Sequence, residues 1–221
     1  MPTERDHPFS IVVLISGKGS NLQAIIDAID EQGLATRIAA VISNKANAFG
    51  LERAQRASIP IEVITATAGT SRDDYDAKLM ACIDAYQPDL IVLAGFMRIL
   101  SDRFVEHYLG RMINIHPSLL PDYKGLDTHR RVLAAGEKHH GATVHYVTPE
   151  LDSGPIIVQA RIPVTEGETE AELVKRVHRL EHQIYPYAVQ LIASGRLRLK
   201  HQTVMLDGKA LGPRGVEFQA E

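Results

Sequence analysis

The sequence predicts an α/β fold: a Rossmann-like, mostly parallel twisted sheet with helices on both faces, extended by antiparallel strands in the C-terminal half. Three observations support this prediction. Short β-branched apolar runs alternate with segments of helical periodicity through the first half of the chain. In the second half, apolar and polar residues alternate strictly, and a long helical segment follows. A chain of 221 residues, 45% of them hydrophobic, can bury the core of one domain, so we expect a single domain over residues 1–221.

The first half predicts five strands separated by four helices. The strands are apolar runs rich in Val and Ile, at residues 11–15, 37–42, 61–64, 89–94 and 111–115. The helices repeat apolar residues at intervals of three and four, at residues 20–32, 47–57, 71–87 and 97–108. A strand followed by a helix and another strand is the unit from which parallel, doubly wound sheets are built.

The second half predicts antiparallel strands joined by turns. G-A-T-V-H-Y-V at 141–147 alternates with period two, and a second strand at 156–164 follows the turn D-S-G-P. A long helix is predicted over 169–194. R-L-R-L-K and T-V-M-L then flank two polar residues, and D-G at 207–208 is a turn signal.

The composition indicates a small-molecule partner. The 24 basic and 27 acidic residues give a net charge of -3, and no block of like charge suggests a nucleic-acid or membrane surface. The N-terminal M-P-T-E-R-D-H-P lacks the features of a signal peptide, and no apolar run approaches membrane-spanning length. We therefore expect a cytoplasmic protein that is a monomer or a weak homodimer, without nucleic-acid or membrane partners.

A glycine-containing loop, I-S-G-K-G-S-N-L-Q, follows the first strand and opens a helix. Backbone N–H groups at such a position favour an anion, so Gly19, Ser20 and Asn21 are candidates to hold one phosphate. NAD is disfavoured because Leu22 replaces the third glycine of the dinucleotide fingerprint and the second strand ends without an acidic residue. The spacing around Lys18 does not match a Walker A loop either. The alternative is a tight turn in which Ser20 or Asn21 only caps the helix.

Two polar residues interrupt the apolar run R-M-I-N-I-H-P. Because side chains alternate along a strand, Asn114 and His116 point to one face, at the end of a strand where open parallel sheets bind ligands. An amide donates to a developing oxyanion, and an imidazole exchanges protons near neutrality. Acyl transfer to an amine needs both functions. The alternative is a structural hydrogen-bonded pair at the end of the strand.

A third candidate is Asp152, in the turn E-L-D-S-G-P between the two predicted antiparallel strands. A carboxylate there would favour the protonated imidazole of His116. The alternative is that Asp152 only initiates an Asx-turn.

H-R-L-E-H raises a different possibility, because His178, Glu181 and His182 match the spelling of an inverted zinc-protease motif. A catalytic zinc site needs a third protein ligand. The 39 residues after His182 offer only His201, Glu217 and Glu221, in a poorly patterned tail. We keep a zinc peptidase as a remote alternative and expect no metal.

Six motifs occur in an order that resembles one family. They are I-V-V-L-I-S-G-K-G-S-N-L-Q, V-I-S-N-K, A-G-F-M-R-I-L, N-I-H-P-S-L-L-P, H-Y-V-T-P-E-L-D-S-G-P and E-H-Q-I-Y-P. Together they resemble the folate-dependent phosphoribosylglycinamide formyltransferases of purine biosynthesis, from about residue 10 to 210. The resemblance implies that a formyl group passes from 10-formyltetrahydrofolate, a co-substrate, to the amine of 5-phosphoribosylglycinamide by direct attack through a tetrahedral intermediate.

The resemblance also implies roles for individual residues. Asn114 resembles the oxyanion-binding amide, His116 the acid/base, and Asp152 the carboxylate that favours its protonated form. The substrate phosphate and ribose would bind at Gly19, Ser20, Asn21, Glu181 and His178. The folate would bind at Arg72, Met97, Arg98, Ile99, Leu100, Thr148, Pro149, Glu150 and Leu151. Without the resemblance, the alternative interpretation is that Met97, Ile99 and Leu100 are core residues. Arg72 and Glu181 would then be exposed charged residues on helices.

The resemblance divides the chain into a phosphoribosyl-binding half at about 10–110, a catalytic and folate-binding half at 111–200 and a C-terminal hairpin or tail at 201–221. Residues 118–139 resemble a mobile active-site loop, suited to a lid. Lys18, Asp127 and His129 are assigned no role.

Other formyltransferases of the same fold and a formyltetrahydrofolate hydrolase remain alternatives. Each of these would be expected to carry an additional domain, which we do not expect here. A noncatalytic phosphate-binding module that uses the glycine loop alone also remains.

Overall fold

The computed structural model describes residues 8–219, which fall into two compact units, the first ending at Ile113 and the second beginning at Asn114. Residues 1–7, in which we expect no targeting segment, lie outside the described residues. Residues 220 and 221 of the predicted tail also lie outside them. The single-domain assignment over residues 1–221 stays a prediction.

The first unit contains four parallel strands and four helices. The strands are β1 (Phe9–Ile15), β2 (Thr36–Ser43), β3 (Ile61–Val63) and β4 (Leu90–Leu93), ordered β4-β1-β2-β3. The helices are α1 (Ser20–Gln32), α2 (Phe49–Arg56), α3 (Arg72–Ala85) and α4 (Asp102–His107). Every residue of β1 is buried, as expected of a central strand covered on both faces.

β5 (Met112–His116) spans the division between the units, with Asn114 to His116 in the second. The second unit orders β5 beside β6 (His139–Tyr146), then β7 (Ile156–Pro163) and β11 (Val216–Phe218). β6 and β7 are antiparallel, whereas β11 is parallel to β7.

Two helices and a small antiparallel sheet complete the second unit. The helices are α5 (Thr128–Ala134) and α6 (Glu170–Ala193), and a capping box between Thr169 and Glu172 begins α6. The small sheet contains β8 (Leu197–Lys200), β9 (Thr203–Leu206) and β10 (Lys209–Ala210). Asp207 and Gly208 connect β9 to β10 with positive φ angles, which confirms the predicted D-G turn.

The predicted fold class is confirmed, but two local predictions are wrong and one strand was not predicted. The helix predicted over 97–108 begins only at Asp102, because the hydroxyl of Ser101 caps it by accepting from the Phe104 N–H. The polar segment 118–139 is not entirely loop, since it contains α5. The tail after residue 210 was too weakly patterned to predict a strand, yet it contributes β11.

Within residues 8–219, none of the helices has both the length and the apolar character required to cross a membrane.

Candidate active site

The end of β5 brings Asn114 and His116 together as predicted. Asn114 is half-buried and His116 is 6% exposed, between the buried Ile113 and Ile115. The Nδ1 atom of His116 lies 3.5 Å from Oδ2 of Asp152, and both side chains are buried. The structure therefore places the three predicted catalytic residues in one cluster, within the second unit.

The turn that carries Asp152 has unusual backbone geometry. Asp152 has a φ of 49°, in the left-handed region that Asp tolerates better than most residues. Two residues on, a Cβ atom at Gly154 would lie 1.8 Å from the carbonyl oxygen of Tyr146, so only glycine fits. The carboxylate accepts from the Gly125 N–H at 2.9 Å as well as facing His116, which gives it a role beyond an Asx-turn.

His145, which the sequence analysis did not select, is a fourth member of the cluster. It is 2% exposed, and its Nε2 atom lies 3.3 Å from Nδ2 of Asn114 and 3.8 Å from Oδ1 of Asp152. The signal in the sequence is a lone imidazole in the alternating strand T-V-H-Y-V, which predicts burial on one face of β6.

Both ring nitrogens of His116 face acceptors. Its Nε2 atom lies 2.9 Å from the carbonyl oxygen of Tyr123, and Nδ1 faces the Asp152 carboxylate. A carbonyl oxygen can only accept, so Nε2–H donates to it. A protonated ring would satisfy both partners, as an acid catalyst requires.

The loop after Tyr123 is attached to the turn that carries Asp152. The ammonium of Lys124 donates to the hydroxyl of Ser153 and lies 3.3 Å from a carboxylate oxygen of Glu150. Together with the Gly125 N–H, these contacts connect residues 124–125 to residues 150–153.

Buried hydrogen bonds anchor the start of the predicted active-site loop, directly after His116. The hydroxyl of Thr143 donates to the carbonyl of Ser118 at 2.6 Å and accepts from the Leu120 N–H at 3.2 Å. The amide of Gln159 donates to the Leu120 carbonyl at 2.9 Å. The lid function predicted for residues 118–139 stays a prediction.

In the first unit, the predicted phosphate loop leads directly into helix α1. Gly19, with a φ of 67°, is the N-cap of α1, and in the described part of the chain no side chain caps this helix. Ser20 and Asn21 therefore lie inside the first turn and are not its caps, contrary to the alternative considered above. The first turn also lacks an acidic residue, as suits a helix N-terminus that binds an anion.

Helix α2 supports this loop at close range. A Cβ atom at Gly19 would lie 2.6 Å from Cα of Gly50, and the Gly50 N–H donates to the Gly17 carbonyl at 3.0 Å. The guanidinium of Arg53 donates to the Lys18 carbonyl at 2.9 Å. The close approach of the two backbones explains why both positions are glycine.

The residues of the H-R-L-E-H motif lie on α6. Glu181 is 5% exposed, not the exposed helix charge of the alternative interpretation, whereas His178 is exposed. The rings of His178 and His182 are stacked with centroids 6.4 Å apart. Among residues 8–219, no group of three or more His, Cys, Asp or Glu side chains is arranged to hold a metal ion.

The predicted folate residues lie at three places in the chain, two in the first unit and one in the second. Met97 and Ile99 are 62% and 66% exposed, so the interpretation of these two as core residues is wrong; Leu100 is half-buried. Arg72 is exposed at the start of α3, and the guanidinium of Arg98 lies 3.8 Å from the ring centroid of Tyr75. In the second unit, the segment comprises Thr148, Pro149, Glu150 and Leu151.

Comparison with known proteins identifies the class. The Formyl transferase family profile matches residues 9–189. The chain is 54% identical over 206 residues to the phosphoribosylglycinamide formyltransferase of Escherichia coli, covering 93% of this chain and 97% of that one. It is 47% identical over 189 residues to the human trifunctional purine biosynthetic protein adenosine-3, covering 86% of this chain and 19% of that protein.

A solved structure agrees with these relatives. The phosphoribosylglycinamide formyltransferase of Coxiella burnetii superposes with a TM-score of 0.92 at 57% identity, covering 96% of this chain and all of that one. The chain therefore belongs to the formyl transferase family, and within it to the phosphoribosylglycinamide formyltransferases. This membership does not favour the zinc peptidase or the noncatalytic binding module.

Proposed function

We propose that this formyltransferase moves the formyl group of 10-formyltetrahydrofolate to the amine of 5-phosphoribosylglycinamide, in the synthesis of purine nucleotides. The products are formylglycinamide ribonucleotide and tetrahydrofolate. The observation that carries the proposal is the cluster of the half-buried Asn114 amide, the buried His116 imidazole and the buried Asp152 carboxylate, in a chain 54% identical to a phosphoribosylglycinamide formyltransferase.

The first step is attack of the amine nitrogen on the formyl carbon. A C–N bond forms, the carbonyl π pair moves to oxygen, and the amine nitrogen becomes positively charged. An N–H of Asn114 donates to the oxyanion, which is where a fixed donor lowers the barrier most.

The second step transfers protons and breaks the bond to the folate. The attacking nitrogen loses a proton, and the N10 atom of the folate gains one as the oxyanion reforms the carbonyl and the C–N10 bond breaks. His116 carries the proton and Asp152 stabilises its charged form. Nδ1 of His116 faces Asp152, so Nε2 is the ring nitrogen that would contact the reactants. Nε2 lies beside the Tyr123 carbonyl in this structure, and the reactants would take the place of that carbonyl.

The remaining predicted residues would bind the rest of each substrate. Gly19, Ser20 and Asn21 would hold the phosphate with the N–H groups and side chains of the first turn of α1. Glu181 and His178 would bind the ribose. The folate would lie against the exposed apolar side chains of Met97 and Ile99 and against the segment 148–151. Exposed hydrophobic side chains of this kind often mark a ligand-binding surface.

The experiment supplies the purified chain with both substrates and follows the folate product and the formylated ribonucleotide. We expect tetrahydrofolate to appear only when the glycinamide ribonucleotide is present, in equal amount to the formylated product. Folate turnover that does not depend on the acceptor would instead support the hydrolase alternative.

A further inference from the structure

His145 is almost fully buried, and it contacts two of the three proposed catalytic residues. It is 2% exposed, and its Nε2 atom faces Asn114 at 3.3 Å and Asp152 at 3.8 Å. Any effect on the reaction must therefore pass through those neighbours.

The ring has one available tautomer in this position. Its Nδ1 atom lies 2.9 Å from the carbonyl oxygen of Tyr146, which can only accept a hydrogen bond, so Nδ1 carries the hydrogen. Burial lowers the pKa of His145 and outweighs the opposing effects of the Tyr146 carbonyl and Asp152. The ring is then neutral, and Nε2 is a bare acceptor.

An acceptor at Nε2 decides which end of the Asn114 amide faces it. A primary amide can present either its oxygen or its NH2 group, and the two orientations fill nearly the same volume. Opposite an acceptor, only the NH2 group gains a hydrogen bond. With one N–H directed to His145, the second N–H of Asn114 is left for an oxyanion.

Asp152 does not compete for this contact. Its Oδ1 atom is 3.8 Å from Nε2, which is beyond hydrogen-bond length. The carboxylate instead accepts from the Gly125 N–H and faces His116. The cluster thus divides into a proton-carrying pair and an oxyanion-binding pair.

We propose that His145 is a positioning residue: in its Nδ1–H form it holds the Asn114 amide with an N–H directed at the formyl oxygen. This inference rests on the proposed function, because it assigns His145 to the oxyanion contact of that reaction. It predicts that the acceptor at the Nε2 position matters, and that the imidazole ring as such does not.

Two substitutions separate the acceptor from the rest of the ring. His145→Gln places an amide oxygen where Nε2 lies, whereas His145→Asn retains a donor near the Tyr146 carbonyl but removes the acceptor. We expect His145→Asn to lower kcat about 10- to 100-fold with KM changed less than about threefold, because one oxyanion donor is misdirected. We expect His145→Gln to retain kcat within about fivefold of the wild-type value. An equal loss of kcat in the two variants, or no loss of kcat in His145→Asn, would overturn the proposal.

A double-mutant cycle tests whether the effect passes through Asn114. In an Asn114→Ala background there is no amide to direct, so adding His145→Asn should lower kcat by less than about threefold. If the full loss recurs in that background, His145 acts by another route and the proposal is wrong.

Nitrogen NMR of the wild-type protein gives a test that needs no variant to fold. At neutral pH the spectrum should show Nδ1 of His145 protonated and Nε2 unprotonated, with Nε2 coupled to the Asn114 side-chain amide. A hydrogen on Nε2 would contradict the proposal. Absence of formyl transfer by the wild-type chain, with this tautomer present, would instead contradict the proposed function.

Discussion

Two pairs of histidines in the second unit lie in contrasting surroundings. His116 and His145 lie on either side of the Asp152 carboxylate, at 3.5 and 3.8 Å. His129 and His140 bond to each other instead, with Nε2 of His140 3.0 Å from Nδ1 of His129 and the rings edge to face. Both pairs use a residue of β6, five positions apart.

The second pair shows what burial does without an adjacent carboxylate. Burial lowers the pKa of both His129 and His140 to about 4, and repulsion from neighbouring imidazoles adds to the effect. Glu168 opposes the shift at His140 only in part. Both rings are therefore neutral near pH 7 and unsuited to carry a proton there. Burial alone therefore does not mark a proton carrier, and neither does a nearby carboxylate, because His145 is neutral beside Asp152. His116 differs from the other three rings in facing an acceptor at each ring nitrogen.

The largest expected difference between the pairs is in catalysis. His116→Asn should lower kcat about 10²- to 10⁴-fold, the usual contribution of an acid/base group, while ligand binding is retained. His140→Gln should change kcat less than about threefold. Steady-state kinetics with both substrates saturating, and calorimetric binding of the ribonucleotide, measure the two effects. Comparable losses in the two variants would remove the distinction between the pairs.

Asp152→Asn should have the next largest effect, about 10- to 10³-fold in kcat, because the charge beside His116 is lost while an oxygen remains for the Gly125 N–H. Asp207→Asn is a matched control, since its carboxylate pairs with Arg196 at the surface of the small sheet. The same assay measures both. A loss in the control as large as in Asp152→Asn would attribute the effect to folding and not to the site.

Acid should destabilise the protein through the His129 and His140 pair. In the folded state the pKa of each is about 4, below the ordinary value of 6.5, so the unfolded chain binds protons first as the pH falls. The stability that depends on these two rings is thus complete above pH 6.5 and is lost as the pH falls from 6.5 to 4, by on the order of 3 kcal/mol for each ring. Urea unfolding at several pH values measures this loss.

His140→Gln should make that pH dependence shallower, because one of the two buried imidazoles is removed. His139→Gln is the control, since His139 is the exposed neighbour on the same strand. If the free energy of unfolding falls with pH as steeply in both variants as in the wild-type protein, the buried pair does not cause the acid sensitivity.

The smallest expected effect is that of metal removal. The proposed mechanism assigns proton transfer to His116 and Asp152 and no step to zinc. Treatment with a chelator should leave kcat within experimental error of the untreated enzyme. A loss that added zinc restores would revive the H-R-L-E-H alternative at His178, Glu181 and His182.

Much of the fold could be predicted because its signals are local. Apolar β-branched runs identified the strands, and the three-and-four spacing identified α1 and α6. The apolar spacing alone did not reveal the start of α4, where the Ser101 hydroxyl caps the helix by accepting from the Phe104 N–H. The parallel pairing of β11 with β7 is a long-range contact that a short window of sequence does not show.

The candidate site shows the same limit. Asn114 and His116 could be predicted as a pair because strand alternation is a strict rule, and Asp152 because its turn is recognisable. His145 resembles ordinary strand filler in T-V-H-Y-V, and the Tyr123 partner of His116 is a backbone carbonyl, which no side-chain pattern encodes. Contacts of this kind become visible only when the elements are folded.

The pH dependence of kcat in the wild-type protein and in Asp152→Asn tests the central claim most directly. If Asp152 stabilises the protonated ring of His116, the limb of the profile that depends on this ring should move to lower pH in the variant, because the favourable charge is gone. His140→Gln should superimpose on the wild-type curve after scaling. An unchanged profile in Asp152→Asn, whatever its rate, would contradict the account.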